Sequence, residues 1–182
     1  MTAAAVVDVI DFSRLTHVNY AFLLPKRSGE LKPFGSPTQL RRVVEQAHTA
    51  GTKVLISVGG WGSDDEFEAL AAVEERRARF VAAVAEFVAA YQLDGVDIDW
   101  EYPVVKGFPG HKRSLDDREH FTELLRAIKK YSREGFEVSF AAGGYNDYID
   151  SAIAWSNIVP LVDFINIMSY DLVHGYSVVS GH

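Results

Sequence analysis

Apolar runs rich in β-branched and aromatic residues recur along the chain at residues 16–23, 53–58, 93–100, 136–142 and 162–169, each short enough for a strand and apolar on both faces. Between them the apolar positions fall at helical spacing. Residues 38–50 place Leu40, Val43, Val44 and Ala47 on one side, with Ser36 as N-cap, Pro37 at N1, Gln39 at N3 and Gly51 as stop. Residues 73–91 carry the stripe Phe80, Val81, Val84, Phe87 and Val88. A third helix opens at Asp116 or Asp117 and repeats Phe121, Leu124, Leu125 and Ile128, and a shorter one is predicted over 151–158. Strand, helix and strand in alternation describe right-handed βα units in a parallel sheet. The best match is an α/β fold of the (β/α)8 TIM-barrel type, with a doubly wound open sheet as the alternative; the latter lacks a glycine-rich phosphate fingerprint here. Five strands are legible where a closed barrel has eight, so about five of the eight βα units are expected, with an N-terminal strand and the C-terminal strands missing.

The third run interrupts this pattern. Leu93-Asp94-Gly95-Val96-Asp97-Ile98-Asp99-Trp100-Glu101-Tyr102-Pro103 sets four acids among apolar residues that read as a buried strand, where an ionised carboxylate is costly. Side chains of a strand alternate, so Asp97, Asp99 and Glu101 share one face and Val96, Ile98 and Trp100 the other, with successive acids roughly 6.6 Å apart at Cα. Repulsion and desolvation both favour the neutral carboxyl, so at least one of the three is expected to hold a proton above its ordinary range and to serve as a general acid. A solvated acidic edge strand would not carry Leu, Val, Ile and Trp between the acids. A calcium loop would put its glycine after the spaced acids and polar residues between them. In a βα barrel the working residues sit at the C-terminal ends of strands, which is where Gly59, Gly60 and Trp61, then Glu101 and Tyr102, then Tyr170 and Asp171 fall.

Composition narrows the partners. The 182 residues are 48% hydrophobic, enough for one core, and 18 basic against 25 acidic residues leave a net charge of −7. No basic stripe interleaves with aromatics, so nucleic acid is not an expected partner, and an uncharged substrate suits the chain better. The absence of cysteine removes thiolate metal sites and cysteine nucleophiles. No run approaches the roughly 20 apolar residues of a membrane span, and the first residues lack the basic and apolar regions of a signal peptide. The six histidines show no metal-ligand spacing, so no metal and no cofactor are expected. Glu74-Glu75-Arg76-Arg77 reads as a solvated helix face.

Three motifs together resemble the family 18 glycoside hydrolases, the chitinases and their relatives. Residues 94–101 match a DGxDxDxE signature, Ser57-Val58-Gly59-Gly60 an SxGG motif on the preceding strand, and Met168-Ser169-Tyr170-Asp171 an MxYD motif. The resemblance covers nearly the whole chain and implies a partial catalytic domain over 1–182. It further implies hydrolysis of β-1,4 bonds in chitin or N-acetylglucosamine oligomers by a retaining mechanism in which the substrate supplies its own nucleophile. On that basis Glu101 is the general acid and base, Asp99 orients the 2-acetamido group, Asp97 shares a proton with Asp99, and Tyr170 donates to the acetamido carbonyl. Asp171, Met168, Tyr102, Trp61, Gly59 and Gly60 are the implied substrate-binding positions. Cleavage of other 2-acetamido glycans, such as the chitobiose core of glycoproteins or peptidoglycan, and a non-catalytic glycan-binding relative or inactive fragment are the alternatives. A secreted parent protein is the expected setting.

Sugar rings present apolar faces, so a glycan groove calls for exposed aromatics. Trp61, Tyr102, Tyr145, Tyr148 and Tyr176 lie at predicted strand ends or in the loops beyond; Trp61 and Tyr102 are favoured by motif position, and Trp100 and Trp155 are assigned to packing. The loop over 104–114, with Lys106, Gly107, Pro109, Gly110, His111 and Lys112, either walls the groove or is simply solvated.

Overall fold

The structure, a computed structural model, describes residues 7–171. Five parallel strands, β1 (His17–Leu23), β2 (Lys53–Gly59), β3 (Gly95–Asp99), β4 (Glu137–Gly143) and β5 (Phe164–Met168), pair in chain order. Right-handed crossovers that always step to the next strand place every connection on the same side of the sheet. A doubly wound sheet requires a reversal of order that is absent here, so the barrel-type winding stands and the open-sheet alternative falls. Helices α1 (Pro37–Thr49), α2 (Asp64–Ala71), α3 (Glu74–Tyr91), α4 (Asp117–Tyr131) and α5 (Trp155–Ile158) fill the connections.

The outward residues of the middle strands, Val54, Ile56 and Val58, then Val96, Ile98 and Trp100, then Val138, Phe140 and Ala142, join the helix stripes in one core. Trp100 is fully packed there, stacked on Phe67 at 5.6 Å between ring centres and edge-on to Phe121 at 5.9 Å. Half-buried Trp155 packs near Phe140 and donates its indole N–H to the Ile149 carbonyl at 2.7 Å. Both tryptophans belong to packing, as expected.

Two helical predictions need correction. No helical period is legible over residues 62–72, yet α2 occupies Asp64–Ala71 and buries Phe67, Leu70 and Ala71. Its stripe is only three residues long, too short for periodicity to reveal, although Asp64, Asp65 and Glu66 in its first turn suit the positive helix N-terminus. The helix expected over 151–158 is instead a π turn (Tyr148–Ala152) and the short α5, separated by an extended Ile153 that drops into the core. Smaller differences concern caps. Ser36 sits at the N-cap of α1 but makes no capping hydrogen bond, whereas Gly51 follows the helix at a φ of 79°, as a stop residue should. The Arg76 and Arg77 side chains of the charged run fold back onto the last carbonyls of α2, Ala69 and Ala71.

One device repeats at the bottom of the sheet. Asp94, just before β3, accepts the Val54 N–H of β2 at 2.7 Å, and Asp163, just before β5, accepts the Val138 N–H of β4 at 2.8 Å. Each carboxylate closes the ladder where a parallel strand enters. The first acid of the sequence signature is thus a strand clamp, held also by His48 at 2.8 Å.

Candidate active site

The parallel register fixes which residues share the face opposite the helices. Ala21 pairs with Ser57, Ser57 with Asp97 and Asp97 with Ser139, while Gly59 pairs with Asp99. On β4 and β5 the same face carries Ala141 beside Asn166 and Gly143 beside Met168. The acids of β3 therefore stand in the middle of a polar row, with Glu101 just beyond the strand's C-terminal end.

Asp97 is the anchored member, 3% exposed. Ser57 donates to its Oδ2 at 2.8 Å, and Ser139 and Asn166 donate to its Oδ1 at 2.6 and 3.0 Å. Both oxygens are engaged in this way, and among the described residues no hydrogen bond joins Asp97 to Asp99. Asp99, 7% exposed, makes no side-chain hydrogen bond among the described residues, and its Oδ1 is buried without a protein partner. Burial, then the charges of Glu101, Asp97 and Asp64, push its pKa up to about 7. Glu101 is half-buried and also raised, first by burial and then by Asp64 and Asp171, with the adjacent Tyr102 hydroxyl opposing. Two acids thus hold protons more firmly than ordinary carboxyls do, the arrangement from which general acids are made.

Tyr170, 63% exposed, lies in the field of Asp99, Glu101, Asp171 and Asp97, and its pKa is raised by partial burial and by those charges. Sequence-distant β3 and β5 thereby bring the DGxDxDxE acids and the Tyr170-Asp171 pair to one place. Asp171 adopts a φ of 53° at the edge of the same field. Met168 is half-buried, one register step beyond Asn166 on the acid-bearing face, and its ladder position rather than any contact with the acids is what the fold gives it.

Gly59 and Gly60 shape the backbone. At a φ of 117°, a Cβ on Gly59 would stand 2.2 Å from the Asp99 carbonyl oxygen and 2.6 Å from the Phe67 ring. Gly60 donates its N–H to that same carbonyl at 2.8 Å, and a Cβ on it would meet the Phe22 ring at 3.0 Å. Trp61 follows, 56% exposed, with Phe108 at 5.7 Å. Tyr102 is half-buried and edge-on to Tyr145 and Tyr148 at 5.6 and 5.4 Å, so it presents an edge within a tyrosine cluster. Tyr148 is wholly buried, and desolvation pushes Tyr145 up to about 12. Tyr176 lies outside the described residues, as do His174 and His182.

Several functional neighbours escaped the sequence. Ser139 and Asn166 clamp Asp97, and the only signal for each is one polar residue set inside a largely apolar strand. Phe22, exposed at the end of β1 over Gly60, continues the aromatic surface. The histidines pair with carboxylates rather than cluster: His17 with Glu137 at 2.8 Å, His48 with Asp94, and His111 with Asp64. Among the described residues no group of three or more His, Cys, Asp or Glu is disposed to hold a metal, and no helix is long and apolar enough to cross a membrane.

Known proteins resemble this chain in sequence and in fold. A "chitinase-like effector" from Moniliophthora roreri is 30% identical over 165 residues, 90% of this chain and 41% of that protein. Chitinase A1 of Niallia circulans is 34% identical over 137 residues, 71% of this chain and 20% of its own length. Among solved structures, the Group IV chitinase of Ostrinia furnacalis in complex with allosamidin superposes with a TM-score of 0.87 at 26% identity, over 97% of this chain and 48% of that one. The chitinase domain of the spore coat protein CotE from Clostridium difficile gives 0.81 at 34% identity, over 90% and 47%. The chain thus spans less than half the length of each of these proteins. The family model of the glycosyl hydrolases family 18 matches residues 2–182, and the chain belongs to that family.

Proposed function

We propose that this chain carries the acid–base half of a chitinase site and acts on β-1,4-linked N-acetylglucosamine polymers by a retaining, substrate-assisted route. The observation that carries the proposal is the graded acid row: Asp97 clamped by three donors, Asp99 buried with an unpartnered oxygen, and Glu101 raised at the strand's mouth. Glu101 donates its proton to the departing glycosidic oxygen and then takes one from water, the two-way role of a general acid and base. The unpartnered Asp99 Oδ1 accepts the acetamido N–H and turns the acetamido oxygen toward C1. The Tyr170 hydroxyl donates to the acetamido oxygen, and Asp171 holds the reacting sugar. Exposed Trp61 offers a ring face to a neighbouring sugar, and Gly59 and Gly60 keep the backbone tight against Asp99. The two solved chitinases and Chitinase A1 share this fold or sequence and support the substrate class. An insoluble polymer of this kind is met outside cells, which makes secretion the fitting setting.

Glu101→Gln tests the assignment. Turnover of a chromogenic chitobioside should vanish while calorimetric binding of chitooligosaccharides persists. Full activity in the variant, or no turnover by the unaltered chain, overturns the proposal.

A further inference from the structure

Asp64 opens α2 immediately after the Trp61 turn and is 2% exposed. His111 Nδ1 bonds its Oδ2, whereas its Oδ1 is buried without a protein partner. The next residue, Asp65, accepts the Lys112 N–H at 3.1 Å and faces Arg27 at 3.9 Å. Two successive residues of α2 therefore hold the loop over 103–113. The far side of that loop is pressed onto the acid row: a Cβ on Gly107 would stand 1.9 Å from the Glu101 carbonyl oxygen. Between the two anchor points is a cavity of about 420 Å³, lined among others by Asp64, Tyr102, Lys106, Phe108 and His111. Phe108 bridges the latch to the exposed aromatic surface, 4.7 Å from His111 and 5.7 Å from Trp61.

A latch alone needs a hydrogen-bond acceptor, and an amide or hydroxyl would serve without a buried charge. What the carboxylate adds is its field. Burial raises Asp64 itself, His111 opposes, and Asp65 adds to the rise; the Asp64 charge in turn acts on both Asp99 and Glu101. The remaining charged groups around the cavity are Lys106, Lys112 and Arg113 of the loop, and Asp171 faces Glu101 from beyond β5. We propose that Asp64, latched by His111, is a positioning residue for Glu101: together with Asp65 it seats the loop over 103–113, whose Gly107 is pressed onto the Glu101 backbone, against the acid row. This rests on Glu101 being the general acid and names the group that keeps it poised.

The test is a carboxyl ¹³C titration of Asp99 and Glu101 in the unaltered chain and in Asp64→Asn. Asparagine can still bond His111, so the loop stays seated while the charge is lost, and both titration midpoints should move to lower pH. The basic limb of kcat/KM should move the same way. Unmoved midpoints in a variant that melts like the unaltered chain overturn the proposal. If the variant does not fold, the unaltered chain still decides: Glu101 must show a second inflection at the pH where Asp64 itself titrates, and a single inflection refutes the coupling. Amide exchange over 103–113 should speed up in His111→Ala; unchanged exchange refutes the latch. None of the NMR measurements requires turnover, so a chain whose acids are coupled but inactive would overturn the hydrolase assignment and leave the Asp64 coupling standing.

Discussion

Asp99 is the residue at which stability and chemistry pull hardest against each other. Its side chain is buried with Oδ1 unpartnered, and its pKa stands at about 7 where an unfolded chain would have about 3.8. For an acid raised in the folded state, the unfolded chain releases its proton first, so folding loses stability as pH climbs from the unfolded value through the folded one. Between about pH 5 and about pH 8, a rise of this size removes roughly 2 to 3 kcal/mol, at about 1.4 kcal/mol per pH unit of unequal titration. Asp99→Asn deletes that slope while keeping the shape of the side chain. Urea unfolding of the two proteins at several pH values across this range should show the variant gaining on the parent as pH rises, with a difference of about 2 kcal/mol or more accumulated by about pH 8. Hydrolysis should fall sharply in the same variant, because an amide does not supply the charge that stabilises a cationic intermediate. Stability curves that run parallel across the whole range would refute the claim that Asp99 is strained by burial and by its acidic neighbours.

The glycine pair and the exposed tryptophan give opposite signatures. Gly59→Ala forces a Cβ to 2.2 Å from the Asp99 carbonyl at a φ of 117°, so it should destabilise the fold by about 1–3 kcal/mol in urea unfolding and disturb the acid row; an unchanged midpoint refutes the close packing. Trp61→Ala removes a largely exposed ring, so unfolding should stay within about 0.5 kcal/mol of the parent while calorimetric affinity for a chitooligosaccharide falls about tenfold, the scale of one lost stacking contact. Equal affinity in that variant removes Trp61 from the groove.

What could be read from the chain beforehand was whatever depends on neighbours in sequence. The five strands and the long helices announce themselves through periodicity, and the acid row of β3 through the two-residue repeat that puts Asp97, Asp99 and Glu101 on one face. Short elements carry too few residues for a period to emerge, so α2 is not legible in the chain despite its three acidic opening residues. The clamp on Asp97 was out of reach for a different reason. Ser139 and Asn166 reach it only because β4 and β5 add to the sheet in one register, and a slip of one residue would turn both away.

The same distinction separates Asp97 from Asp99. Two acids spaced by one residue on a strand suggest mutual relief when only the strand is considered. Once neighbouring strands supply Ser57, Ser139 and Asn166, Asp97 is satisfied without Asp99 and its charge becomes a cost that Asp99 bears. Asp64, arriving from the far side on a helix the sequence did not reveal, adds to that cost for both Asp99 and Glu101. Spacing along β3 creates the row of acids, but differences in what other elements offer each one make the row unequal. That inequality, with one acid clamped, one buried and one poised at the strand's mouth, is what allows three adjacent carboxyls to take three different parts in a single reaction.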